Sequence, residues 1–128
     1  MSAEGVELVR RIYQAWDQGV SPKDFIAADV EYVNPSYAVE PGTRYGRKSF
    51  TVVSDLLADF EMHAVRFIDT GEEDVVVLAH YKGSGRESGV PVEGEQGHVW
   101  TVRDGLAVRF LWFGSHREAL DAAGVTDA

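Results

Sequence analysis

Apolar residues at three- and four-residue steps open the chain. Val6, Val9, Ile12, Tyr13 and Trp16 fall on one side of a helix, with Glu7, Arg10, Arg11, Gln14 and Asp17 on the other. The spacing predicts a helix over 4–18, ended by Gly19. Ser21-Pro22 has the form of a cap followed by proline at the first helical position, which predicts a short helix to about Ala27. Residues 30–34 are β-rich and stop at Asn34-Pro35. A loop over 36–44 follows, with the turn pair Pro41-Gly42. Phe50, Val53, Leu56, Leu57 and Phe60 return to helical spacing and predict a third helix over 47–60.

The remainder reads as strands over 62–69, 75–82, 90–102 and 106–114. A turn at Gly71 joins the first pair, and Asp104-Gly105 is a hairpin signal for the last. The polar stretch 83–89 is a loop; Gly83-Ser84-Gly85-Arg86 opens no helix and so is not a phosphate cradle. A final helix over 115–123 is capped by Ser115 and ended by Gly124. Helices early and strands late argue an α+β fold in a single domain, residues 1–128. Successive antiparallel strands twist, and Gly94 and Gly97 mark places where the long strand can bend. A bent sheet with N-terminal helices over its concave face encloses a cone, and an unfilled cone holds a ligand.

Charge narrows the partners. The net charge is −9, and the nearest approach to a basic cluster is Arg44, Arg47 and Lys48. Nucleic acid and anionic membrane surfaces are therefore not expected partners. Without cysteine there is no disulfide, thiolate metal site or cysteine nucleophile. The start Met1-Ser2-Ala3-Glu4-Gly5 lacks the pattern of a signal peptide, and the longest apolar run, 75–79, is too short to span a bilayer. A cytoplasmic location is the expectation. No His-x-His or His-x-x-x-His pair is present, so no metal is expected, and no serine sits in a Gly-x-Ser-x-Gly elbow.

Alternation places Gln96, His98, Trp100 and Val102 on one face of their strand, and Tyr32 and Asn34 on one face of theirs. With Tyr13 from the first helix, His98, Tyr32 and Asn34 form the candidate catalytic set. Trp16, Gln96 and Trp100 are expected to line the cavity beside them. Tyr37 and Tyr45 bracket the loop after Pro35 and are expected at its rim. His63 and Tyr81 on the middle strands, and Leu111 and Phe113 on the last, complete the expected lining. Trp112 and Phe113 must point oppositely, and only the register decides which faces inward.

The chain resembles the SnoaL-like branch of the nuclear transport factor 2-like superfamily, which includes ketosteroid isomerases, polyketide cyclases and limonene epoxide hydrolase. The resemblance rests on residues 8–16 as the opening helix, Asp29-Val30-Glu31-Tyr32-Val33-Asn34-Pro35, and Tyr45-Gly46-Arg47. It continues through residues 97–105 and Val108-Arg109-Phe110-Leu111-Trp112-Phe113. It implies a cone-shaped domain, a pocket under the first helix, and pairing of two copies through the outer face of the sheet. Ketosteroid isomerases place an Asp-Pro at the end of the first strand; here Asn34-Pro35 stands there, without a proton-accepting carboxylate. Their protonated acid aligns with His98, a possible hydrogen-bond donor to an oxygen, and their tyrosine aligns at or beside Tyr13. Tyr32-Val33-Asn34 reproduces the water-holding pair of the epoxide hydrolase. The rest of that set is replaced by His80-Tyr81-Lys82 and Leu111-Trp112-Phe113. Two readings follow. One is a domain that binds a small hydrophobic carbonyl or polycyclic compound, catalysis left open, any enzyme being a cofactor-independent isomerase, cyclase or hydratase/hydrolase-like one. The other is a non-catalytic binding or dimerisation module, its cone plugged by Trp16, Trp100 and Phe113.

Overall fold

Helix α1 spans Ser2–Asp17 and buries the stripe its spacing predicts: Val9, Ile12 and Tyr13 are enclosed, with Val6 and Trp16 packed alongside. It ends as expected, because Gly19 takes φ +70° and Val20 N–H reaches back to Ala15 O at 2.8 Å. The computed structural model describes residues 2–51 and 57–125, and side chains for residues 4–50 and 59–125. The expected second helix is a single 3-10 turn, Lys23–Phe25, because strand β1 (Ile26–Asn34) begins immediately after it. Within the loop expected after Pro35, a short strand β2 (Gly42–Tyr45) pairs antiparallel with β1.

The third predicted helix is replaced at both ends. Arg47–Thr51 forms a 3-10 turn, and strand β3 (Leu57–Asp69) already includes Phe60; positions 52–56 lie outside the described residues. Phe50 and Phe60, three turns apart on a helix, instead belong to different elements that face one cavity. Strands β4 (Asp74–Gly85), β5 (Pro91–Arg103) and β6 (Leu106–Phe113) follow, β4 taking in the glycines expected to form a loop. Helix α2 (His116–Ala122) closes the described chain, with Ser115 Oγ accepting from Glu118 N–H as its cap.

The fold is α+β. The six strands form one curved, unclosed sheet in the order β2-β1-β6-β5-β4-β3. It is mixed, since β1 runs parallel to β6 while the other neighbouring pairs are antiparallel. On the α1 side, Val75, Val77, Trp100, Ala107 and Phe110 join Val9, Ile12 and Tyr13 in the main core. Helix α2 packs on the opposite side against Val76, Leu78 and Val99, through Ala119 and Leu120. That side is the outer face on which pairing of two copies is expected, and α2 covers part of it.

The two strand glycines serve close approach. The β4–β5 register runs unbroken past Gly94 and Gly97. A Cβ on Gly97 would stand 2.3 Å from that of Ala119 and 2.9 Å from Ser115 O, so the glycine lets α2 sit down on the sheet. A Cβ on Gly94 would press on the ring of Tyr81.

The register does shift in β6. Thr101 pairs with Arg109 but Val102 pairs with Ala107, so β6 carries an extra residue at this point. Ala107 faces the main core, and simple alternation would send 109, 111 and 113 the same way. The bulge moves the phase by one: Phe110 and Trp112 face the α1 side, and Leu111 and Phe113 join the outer cluster.

Candidate functional site

Between α1, the concave face of the sheet and the 35–41 loop lies a cavity of about 1010 Å³. Trp16, Ile26, Tyr32, Phe50, Phe110 and Trp112 form its apolar wall, with Phe60 and Met62 from β3. Asn34, Gln96, His98 and the buried Ser49 supply polar atoms among them. Val20 and Val39, both exposed, stand at its edge.

A line of hydrogen bonds runs from the core to this wall. Trp100 Nε1–H donates to Tyr13 Oη at 2.9 Å, Tyr13 Oη and His98 Nδ1 are 2.5 Å apart, and His98 Nε2 is 2.8 Å from Gln96 Oε1. An indole N–H can only donate, so Tyr13 Oη accepts from Trp100 and its single proton is left for His98 Nδ1. His98 therefore carries its proton on Nε2 and donates toward Gln96. Burial holds the imidazole neutral, pushing its pKa from 6.5 down to about 3, and the charge of His116 adds to the effect. The same burial drives the Tyr13 hydroxyl far above the usual tyrosine value, so it stays protonated. No buried polar side-chain atom lacks a partner among the described residues.

Asn34 is held at both ends. Its Oδ1 accepts from Trp112 Nε1–H at 2.7 Å, and its Nδ2 donates to Gly42 O at 3.3 Å. The amide thus ties β6 and β2 to the end of β1 and fixes the ring of Trp112 in the wall. Tyr32 presents a buried ring, and its hydroxyl makes no hydrogen bond to a described residue. Burial pushes that phenol up to about 12, with Arg44, its cross-strand partner, acting against the rise.

Of the residues singled out from sequence, Tyr32, Asn34, His98, Trp16, His63 and Gln96 border the cavity. Tyr13 does not: it stands behind the wall and reaches the cavity only through His98. Trp100 likewise is fully enclosed in the core. Tyr37 is exposed, stacks edge-on against Trp112 and accepts from Gly114 N–H at 2.6 Å. Tyr45 points to the other side of the sheet, where it borders a polar cleft with Glu31, Glu73 and Arg103. Tyr81 packs on Gly94 at the far end of β4. Leu111 and Phe113 lie on the outer face for the reason given by the β6 bulge. Phe110 and Trp112, which replace them, could have been found only by locating that bulge. Arg44 and Arg47 also border the cavity and were read from sequence only as a weak basic cluster.

His63 sits at the edge beside Glu61 and Asp17, exposed, its Nε2 2.8 Å from Glu61 Oε1. His80 lies on the outer face with its ring against His116. No group of three or more metal-ligating side chains is assembled among the described residues. No described helix is long and apolar enough to cross a membrane.

Solved structures decide the fold's name. An NTF2-like protein of unknown function from Burkholderia pseudomallei K96243 superposes with TM-score 0.72 at 24% identity, over 97% of this chain and 98% of that one. The fold is that of the NTF2-like proteins. TerC, co-crystallised with polyporic acid, superposes on this chain with TM-score 0.73 at 22% identity, over 94% of this chain and 98% of that one. A protein assigned to the SnoaL-like polyketide cyclases from Jannaschia sp. CCS1 follows at TM-score 0.69 and 16% identity, over 98% and 94%. No protein-family model matches the sequence, and no curated protein matches it.

Proposed function

We propose that this NTF2-like chain binds a small, mostly apolar organic molecule under α1, and that His98 presents a neutral N–H to an oxygen on it. The observation that carries the reading is the hydrogen-bond line ending at a neutral imidazole on the wall of a cavity roomy enough for a ring compound. A neutral imidazole with a strongly depressed pKa is a poor proton acceptor but a good fixed donor. It would polarise a carbonyl or enol oxygen without changing charge itself. The Gln96 side chain is then the partner exchanged for the ligand. Asn34, tied to Trp112 and Gly42, acts as a brace, and an amide lacks the basic carboxylate that proton abstraction at the end of β1 would need.

The cavity is apolar enough for a ring compound, and Trp100 and Phe113, expected to plug it, lie elsewhere. TerC is co-crystallised with polyporic acid, and the Jannaschia protein is named for polyketide cyclisation, both in keeping with this ligand class.

Trp16 and Trp112 on the wall supply the readout. A panel of aromatic ketones and quinones is titrated while tryptophan emission and thermal unfolding are followed. A binding ligand is expected to quench emission and raise Tm, and His98→Gln to weaken it by about tenfold, the worth of one good hydrogen bond. A panel in which nothing binds, or in which His98→Gln alters no affinity, refutes the reading.

A further inference from the structure

The charged side chains around the cavity are sorted by sign. Lys23, Arg44 and Arg47 come from the turn before β1, from β2 and from the turn after it. Asp17 and Glu61 come from the end of α1 and from β3, with His63 held between them. Strands β2 and β3 are the two edges of the sheet, five strand spacings apart, or about 24 Å along its surface. Glu40 is the exception on the cationic side, and its carboxylate is bound to Arg44.

Arg47 differs from Arg44. Its Nε–H donates to Ile26 O at 2.9 Å, which fixes the guanidinium plane against β1. Among the described residues no carboxylate stands within ion-pair distance of it. Tyr32 is on the same wall: the ring of Phe50, three residues after Arg47, lies 4.9 Å from its own. The Tyr32 hydroxyl, hydrogen-bonded to no described residue, is not sealed off either. Arg47 brings a planar fork of N–H groups, and Tyr32 a phenolic O–H, to the wall of one cavity, and such donors suit a two-oxygen anion. The surroundings supply the other half of the match, since Trp16, Phe50 and Trp112 offer flat apolar surface next to it.

We infer that the cavity prefers a ring compound bearing a carboxylate-type anion, the ring against the aromatic wall and the anion on Arg47 and Tyr32. The inference rests on the cavity being a ligand site. The whole chain carries a net charge of −9 and repels anions at long range, so any preference for one must arise from these local donors. Glu61 already contacts Lys82 Nζ at 3.7 Å and His63 Nε2 at 2.8 Å, so the cationic side alone orients the molecule, anion toward Arg47.

Two fluorescent probes with one ring body separate the claims: N-phenyl-1-naphthylamine, which is neutral, and its 8-sulfonate. Wild-type protein is expected to bind the sulfonate with a Kd about tenfold lower than the neutral probe. Arg47→Gln should remove that advantage and leave the neutral probe within about twofold. Glu40→Gln, which releases Arg44 from its partner, should lower the sulfonate Kd further. Tyr32→Phe deletes one hydroxyl and keeps the ring. It should raise the sulfonate Kd alone, so the test stands even if Arg47→Gln loses the Ile26 contact and unfolds. Equal Kd values for the two probes in wild type, or variants that weaken both probes alike, overturn the anion preference while the cavity survives as a ligand site. Binding of neither probe overturns the cavity reading and the inference with it.

Discussion

The Tyr13 hydroxyl and His98 Nδ1 meet at 2.5 Å across 85 residues of chain, and both residues are buried. Each solves the other's burial: the phenol gives up its proton direction to the imidazole, and Trp100 fills the lone pair that remains. Tyr13→Phe keeps the ring contacts and deletes both bonds. It strands His98 Nδ1 and the Trp100 N–H in the core, and should cost about 2–4 kcal/mol in urea unfolding at neutral pH. A loss below about 0.5 kcal/mol would mean that the two groups find other partners.

His98 makes stability depend on pH. Unfolded, it takes a proton near 6.5; folded, it resists until about 3. Below 6.5 the unfolded state thus binds the extra proton, and stability falls as pH falls. The slope is about 1.4 kcal/mol per unit while only the unfolded form titrates. His98→Gln should flatten the stability profile between pH 6.5 and 5 relative to wild type by about 2 kcal/mol. Parallel profiles for the two proteins would show that the folded imidazole is protonated in that range.

Gly97 and Gly5 offer a matched pair of alanine substitutions. At Gly97 the new methyl collides with Ala119 and Ser115 O, so α2 must lift from the sheet. Gly97→Ala should cost about 2–3 kcal/mol. At Gly5, inside α1, the closest approach would be 3.6 Å to Val75, an ordinary contact. Gly5→Ala should therefore gain about 0.5–1 kcal/mol from helix propensity. Chemical denaturation of the two variants checks both signs, and a tolerated Gly97→Ala would mean that α2 is not seated as described.

Asn34→Asp tests the brace. A carboxylate can still accept from Trp112 Nε1–H, but it cannot donate to Gly42 O and faces that carbonyl with like charge. A loss of about 1–2 kcal/mol is expected at pH 7, recovered in part as the carboxyl is protonated. Denaturation at pH 7 and 4.5, each referenced to wild type, measures it. Unchanged stability at both would show that the Gly42 contact contributes nothing.

The amphipathic stripe of α1 was legible because one wet face and one buried face leave a 3.6-residue period. The inward face of β5 was legible because no bulge interrupts its pairing with β4 between Asp74 and Ser84. His98 and Gln96 could thus be aimed at the cavity from alternation alone, and Tyr32 with Asn34 likewise. The Phe50–Phe60 spacing misled because two unrelated elements, a 3-10 turn and the start of β3, happen to present apolar residues at helical intervals.

By itself the sequence determined the α+β class, the first helix with its buried face, the cap at Ser115 and the polar residues that could meet. Those are local matters of period, capping and side-chain chemistry. The tertiary structure alone decided that Phe110 and Trp112 face the cavity while Leu111 and Phe113 face α2. It also placed Tyr13 behind His98 and brought Arg47 to the wall. The physical reason is that one bulged residue reverses a strand's phase, and a contact between residues 85 apart has no trace in local pattern.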